Sequence, residues 1–379
     1  MMRARNLIWL LLLLLALACR REPAPMMEES ADLVLYLKIP SLAGTKADPL
    51  GQVSAETTAE TQITDLKIWV FNSEDGALLG YINPVRNNNT WNKDPLTAFE
   101  NKYHIPLSAE VALARPNVDV YALANGSSIG LGSTLGQSTT RAQLESLLFQ
   151  GNYFGISNSL PVQTSVPSTG LPFAGVGKNL SMEGSFPVMR VASVTVKRVV
   201  SKLRFVFSQL TDLVGPVMDF TIDELIIGGD VIANKEYLFT GDSYRLDGHL
   251  ASEIHYYSDE GAVRLPSSSE IALNPSPREY AYEDGMSAQE YENKMLTGIQ
   301  RGLLTDFGKC YLRESDQPIT GTVKYHISDI PGEASFTLDA GGFVRNRSWL
   351  VYIFFLRDAM EFDVTWTPWA QGYDFYLTD

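Results

Sequence analysis

The sequence predicts an all-β protein of two tandem β-sandwiches, with one or two short helices in the connections. Three observations carry this. Segments alternate apolar and polar residues with period two, most clearly "ADLVLYLKIP", which sets Leu33, Leu35, Leu37 and Ile39 on one face. The composition, rich in Tyr, Phe, Gly, Ser and Thr with 19 prolines, favours strands joined by turns. A length of 379 residues exceeds what one core usually serves, and the early order of strands recurs in outline in the second half.

Arg3 and Arg5 precede "LIWLLLLLLALA", which runs into Cys19: a charged region, an apolar stretch and small residues, in the order of an export signal. A span across a bilayer core takes about 20 apolar residues, more than this stretch supplies. Residues 1–18 therefore read as a signal peptide, and "LALAC" resembles a bacterial lipobox with Ala16 where Leu is commoner. On that reading Cys19 is acylated; ordinary signal-peptidase cleavage at an A-x-A-like site is the alternative. Residues 19–30, with two prolines and no periodicity, form a flexible tether. Cys310 is the one other cysteine and reads as a small buried hydrophobe, so stability must rest on apolar burial rather than disulfides.

The first strand covers 31–40, and the small, polar stretch 41–60 follows as an exposed loop. "QITDLKIWVFNSEDGALLGYI" holds a strand, a turn at Asn72–Gly76 and a returning strand. "NVDVYALAN" (117–125) is apolar on both faces, as suits the middle of a packed sheet. A helix is predicted in "TRAQLESLLFQ", where Thr140 and Gln143 have capping-box spacing and Leu144, Leu147 and Leu148 form the stripe. "STGLPFAGVGKNLSMEGSFP" (168–187) lacks periodicity, and the domain boundary is placed there or just beyond it, dividing the chain into sandwiches at 31–187 and 188–379.

Beyond it, "VASVTVKRVVSKLRFVF" (191–207) reads as one long strand and "MDFTIDELIIGGDV" as the next. A second helix is predicted at "SAQEYENKMLTGI", with Ser287 and Glu290 at capping-box spacing. In "VRNRSW", Arg345 and Arg347 read as solvated charges at a turn, and Trp349 begins a core-facing run. Three strands close the chain: "YHISDI", "WLVYIFFL" and a terminal segment at 370–379 in which Tyr373, Phe375 and Leu377 share a face.

With 44 acidic against 30 basic residues the net charge is −14, which argues against a nucleic-acid partner. His104, His249, His255 and His326 are scattered, and no nucleophile-elbow, zincin or phosphate-loop motif occurs. "NSEDG" lacks the later ligands of a calcium loop and reads as a turn. No catalytic residue, metal or cofactor is assigned, and no enzymatic role is expected.

In order along nearly the whole chain, the signal ending at Cys19, "LVLYLKI", "ITDLKIWVF", "VTVKRVVSKLRFVF", "FVRNRSWLVYIFF" and "VTWTPW" resemble the fimbrillin family, the pilus subunits of Bacteroidales. That resemblance implies two transthyretin-like sandwiches, export as a lipoprotein carrying palmitate-type chains, and assembly with other pilus subunits at the outer membrane and cell surface. It also implies that a trypsin-like protease cuts behind the first strand, which is lost, and that a neighbour's C-terminal segment fills the groove left by Leu33, Leu35, Leu37 and Ile39. Lys46 stands at the cleavage position, a lysine where the best-known relatives have arginine. Arg21 is the other basic candidate, but a cut there leaves the first strand in place. Tyr373, Phe375 and Leu377 are the donor-strand candidates, unless that segment completes its own sheet. Adhesion to a host or bacterial surface ligand follows from the same resemblance. The alternatives are an uncut subunit held at the pilus base through Cys19, or a glycan-binding lipoprotein displaying Trp91, Trp366 and Trp369.

Overall fold

The alternation of "ADLVLYLK" becomes strand β1 (Ala31–Lys38). The computed structural model describes residues 30–38, 60, 63–84, 100–149, 166, 168–209, 219–240, 245–257, 261–266, 280, 283, 285–338, 343–355 and 360–368. Cys19, Arg21, Ile39, Lys46, Trp91, Trp369, Tyr373, Phe375 and Leu377 lie outside these residues.

After β1 the first half forms β2 (Leu66–Asn72), β3 (Leu78–Ile82), β4 (Glu100–Leu107), helix α1 (Ala109–Ala114), β5 (Val118–Ala124), helix α2 (Arg141–Glu145) and β6 (Leu148–Phe149). It continues with β7 (Phe173–Leu180), β8 (Glu183–Ser185), β9 (Val188–Arg190), β10 (Val194–Thr195) and β11 (Lys197–Arg198). One sheet runs β10-β1-β9-β8 with β4 also on β1, and a second runs β11-β7-β5-β2-β3. Both contribute to one core, which includes Leu33, Leu35, Leu37, Ile105, Ile68 and Val120.

The second half forms β12 (Ser201–Gln209), β13 (Phe220–Ile227), β14 (Glu236–Tyr237), β15 (Ile254–Tyr256), β16 (Val263–Arg264) and helix α3 (Ala288–Gln300). Then come β17 (Thr305–Leu312), β18 (Ile319–Ile327), β19 (Ile330–Leu338), β20 (Arg347–Phe355) and β21 (Met360–Pro368). Its sheets run β17-β12-β20-β21 and β15-β13-β18-β19, with β16 also on β13. Leu203, Phe205, Phe207, Ile222, Val323 and Val351 share their core. Tyr291 and Met295 of α3 pack with Val206, Tyr352 and Phe354 in a separate cluster, so the helix covers the other side of the β12–β20 sheet.

The pairing of the first half recurs in the second. β1 is antiparallel to β4 and parallel to β9 and β10; β12 is antiparallel to β17 and parallel to β20. β2 is antiparallel to β3 and β5, and β5 to β7; β13 is antiparallel to β15, β16 and β18, and β18 to β19. Both predicted capping boxes form, Thr140 with Gln143 and Ser287 with Glu290. The Asn72–Gly76 turn closes through the Asn72 carbonyl, which accepts from Gly76 N–H at 2.9 Å.

Five readings change. Residues 168–187, which lack periodicity in sequence, hold strands of the first half: β7 pairs along β5, and its glycines admit a crossing chain. A Cβ on Gly175 would lie 2.4 Å from the Thr195 carbonyl oxygen, so only glycine lets β10 pass so close. The boundary placed at 187 falls between β8 and β9, which pair with each other, and strand pairing carries the first half on to Arg198. The expected strand over 191–207 is β10, β11 and β12 in succession, because the chain pairs first with β1, then with β7, and only then enters the second half. "YHISDI" contains the β18–β19 turn, with Ser328 at φ 55°. Of the predicted helical leucines only Leu144 lies in α2, since Leu148 already starts β6.

Arg345 is the fifth correction. It is 7% exposed. Its guanidinium donates to both Glu314 carboxylate oxygens, at 3.0 and 3.1 Å, and to the carbonyls of Leu238 and Tyr237, at 2.9 and 2.8 Å. A local turn signal could not reveal this, because the acceptors lie far away in sequence. The contacts fix the segment around β14 as a peg: β14 pairs with β6, and Phe239 meets Tyr121 edge-on at 5.2 Å within the first core.

Glu236 of β14 accepts from Glu314 N–H at 2.9 Å and lies 3.8 Å from Arg345. Burial pushes its carboxyl up to about 8, against the pull of Arg345 and with Glu314 adding to the rise. A carboxyl raised in the fold contributes stability that is complete below its ordinary value and is lost as pH climbs through the raised one. The melting temperature should therefore fall more steeply between about pH 5 and 8 in the native protein than in Glu236→Gln. Parallel curves in calorimetry would count against a neutral Glu236.

Candidate functional site

The first strand is the candidate site, because its sequence alternation and its position in the sheet come together there. Leu33, Leu35 and Leu37 are wholly buried, Ala31 and Val34 nearly so, and Asp32 is exposed. β4 pairs with all eight residues, from Ala31↔Leu107 to Lys38↔Glu100. On the other flank the contacts are short: Asp32, Leu33 and Val34 register with β9, and Leu37 and Lys38 with β10. Asp32 N–H donates to the Pro187 carbonyl at 2.9 Å, and Val191 N–H to the Val34 carbonyl at 3.3 Å. β1 is thus an interior strand, and its departure would unpair an edge on each side, with neighbours about 4.8 Å away in each direction.

The slot is walled by Tyr103, Ile105 and Leu107 of β4 and by Met189 and Val194. "ENKYHIPL" shows the alternation that could have identified β4, a strand the sequence reading missed. Tyr103 is 3% exposed, and its hydroxyl has no hydrogen-bond partner among the described residues. Burial pushes that hydroxyl's ionisation well above the ordinary tyrosine range. With its apolar side chains inside, β1 leaves a buried donor unmet, which costs about 1–3 kcal/mol.

β12, the counterpart of β1, is held differently. It registers with β20 over eight residues, Lys202↔Ser348 through Gln209↔Phe355. Its inward Phe205 and Phe207 interlock with Tyr256, Phe336, Phe307 and Phe355 at centroid distances of 5.5–6.4 Å. The inward face of β1 carries an alanine and three leucines, none of which offers a ring to interlock.

Glu60, upstream of β2, was not singled out by any sequence pattern. It is wholly buried. Its carboxylate accepts from Lys309 Nζ at 2.7 Å, from Lys202 Nζ at 3.2 Å and from the Tyr311 hydroxyl, while its carbonyl accepts from Arg198 Nε at 3.2 Å. Burial raises the carboxyl, but Lys202 and Lys309 outweigh it and hold the group below its ordinary value. Cys310, between two of these partners, is buried, and burial pushes its thiol far up, away from nucleophilic use. No group of three or more metal-ligating side chains occurs among the described residues.

Residues 33–184 match the family model of the major fimbrial subunit protein (FimA). No curated protein matches the chain. Among solved structures it is similar to the tip fimbrial protein Mfa3 of Porphyromonas gingivalis with C-terminal truncation, at 11% identity and TM-score 0.47, covering 90% of this chain and 100% of that one. A putative cell adhesion protein of Parabacteroides distasonis shows 15% identity and TM-score 0.48, covering 90% and 97%. The fimbrial anchor protein Mfa2 of P. gingivalis shows 9% identity and TM-score 0.39, covering 90% and 100%. The matched span opens within β1 and closes within β8, so it takes in the slot and most of its walls. Over residues 33–184 this chain is similar to the major fimbrial subunit family.

Proposed function

We propose that the protein is a structural fimbrial subunit whose first strand is a removable placeholder, exchanged for a strand of a neighbouring subunit. The matched family is one of fimbrial structural and adhesion proteins rather than enzymes. One observation carries the reading: β1 is an interior strand whose inward face is buried, yet its parallel flank is held by short registers and that face carries only an alanine and leucines. Such a strand is essential to the sheet and smooth enough to leave it. Its loss exposes buried leucines at about 1.5–3 kcal/mol each and two unpaired edges, and a strand with period-two apolar residues restores both.

In this scheme the chain is exported as a lipoprotein acylated at Cys19 and reaches the outer membrane and then the fimbrium. A trypsin-like protease cuts after Lys46. Tyr373, Phe375 and Leu377 of one subunit then enter the slot of the next.

N-terminal sequencing of assembled surface material tests this, together with deletion of residues 372–379. Assembled protein should begin at Ala47 and run as a ladder, and the deletion should leave a folded monomer that does not extend. Assembled material still carrying residues 31–38 would overturn the exchange.

A further inference from the structure

Glu60 bridges the two halves of the molecule at the place where the chain returns from β1 to β2. Its carboxylate partners Lys202, Lys309 and Tyr311 belong to β12 and β17 of the second half. Four residues later the chain is fastened to the first half instead. Thr64 N–H donates to Asn125 Oδ1 at 2.7 Å, and its hydroxyl donates to the Thr169 carbonyl at 2.8 Å. Residues 60 and 64 are therefore fastened to different halves of the molecule. Glu60 is polar and wholly buried, and three charge-assisted hydrogen bonds hold its carboxylate.

This contrasts with β1, whose grip is apolar and backbone-mediated. In sequence, Lys46 lies between the end of β1 and Glu60. We infer that Glu60 is the latch dividing the removable part of the chain from the retained part, holding the chain ahead of β2 on the second half so that the first strand leaves without loosening β2. The inference rests on the strand-removal reading for its purpose, but the latch itself can be measured without it. Glu60 grips Lys202, so it also pins β12, the counterpart of β1, and confines exchange to one slot per subunit.

Hydrogen–deuterium exchange on the full chain, before and after trypsin treatment, tests the latch. Amides of residues 60–64 should exchange at least about tenfold faster in Glu60→Gln than in the native protein, with β2 and β5 unchanged, since the charge-assisted bonds to one carboxylate are lost. Lys309→Met, which removes one partner and keeps the carboxylate, should show a smaller increase and serves if Glu60→Gln does not fold. Equal rates at 60–64 in native and variant proteins would overturn the latch. So would free exchange of 60–64 in native protein that has lost residues 31–38. If trypsin never releases β1 while protection of 60–64 still depends on Glu60, the latch stands and the strand-removal reading fails.

Discussion

Leu35→Asp should unfold the first half of the molecule while leaving the second half folded. Leu35 is wholly buried in the middle of β1, opposite Tyr103 of β4. The change forfeits about 1.5–3 kcal/mol of apolar burial and places a carboxylate in the core at a further cost of several kcal/mol. Together these reach the range of about 5–15 kcal/mol that holds a domain folded. Trp69 and Trp349 lie in the two different cores, so fluorescence during urea titration reports on both. Asp32→Ala, one strand position away from Leu33 and facing solvent, is the control and should shift stability by about 0.5 kcal/mol or less. A peptide of residues 31–39 added in excess should restore part of the lost stability by refilling the slot. If Leu35→Asp unfolds like Asp32→Ala, β1 is not integral to the first core and the placeholder reading loses its basis.

Arg345→Ala should cost about 3–5 kcal/mol, because it strips a buried bidentate partner from Glu314 and leaves that carboxylate beside Glu236. Two carbonyls of the β14 segment, at Tyr237 and Leu238, lose their donors at the same time. Leu238 and Phe239 belong to the first core, so the loss should reach both halves and merge or lower both unfolding transitions. Arg345→Lys should recover little, since an ammonium cannot reproduce the fork that meets Glu314 with two parallel bonds. Combining Arg345→Met with Glu314→Leu should recover much of the stability, because the exposed cost is that of an unpaired buried charge rather than of a missing attraction. Differential scanning calorimetry separates these cases. A melting temperature for Arg345→Ala within about 2 °C of native would return Arg345 to the solvated role its sequence suggests.

The strands that were legible in the sequence share a physical cause. "LVLYLK" and "FTIDELII" each turn alternate residues to a two-layer core, and a period of two is all that such a position demands. The capping boxes were legible because both partners lie within four residues of each other. Turn chemistry at "NSEDG" is equally local. Even the recurrence of strand order in the second half showed through, although the residues themselves differ.

Where sequence reading failed, the deciding partner was distant. Gly175 looked like loop composition, yet its missing side chain makes room for the Thr195 carbonyl of a strand that crosses over it. Arg345 looked solvated, but Glu314 and the β14 segment enclose it. Glu60 carried no pattern at all, and its role depends on two lysines and a tyrosine some 140–250 residues away. By itself, the sequence determined an all-β chain with a first strand of alternating leucines, since alternation is a property of neighbours along the backbone. Only the tertiary structure decided that this strand is interior and lightly held on one flank, and that Glu60 lies buried between the halves. Pairing partners and charge burial belong to contacts between segments, and no single segment encodes them.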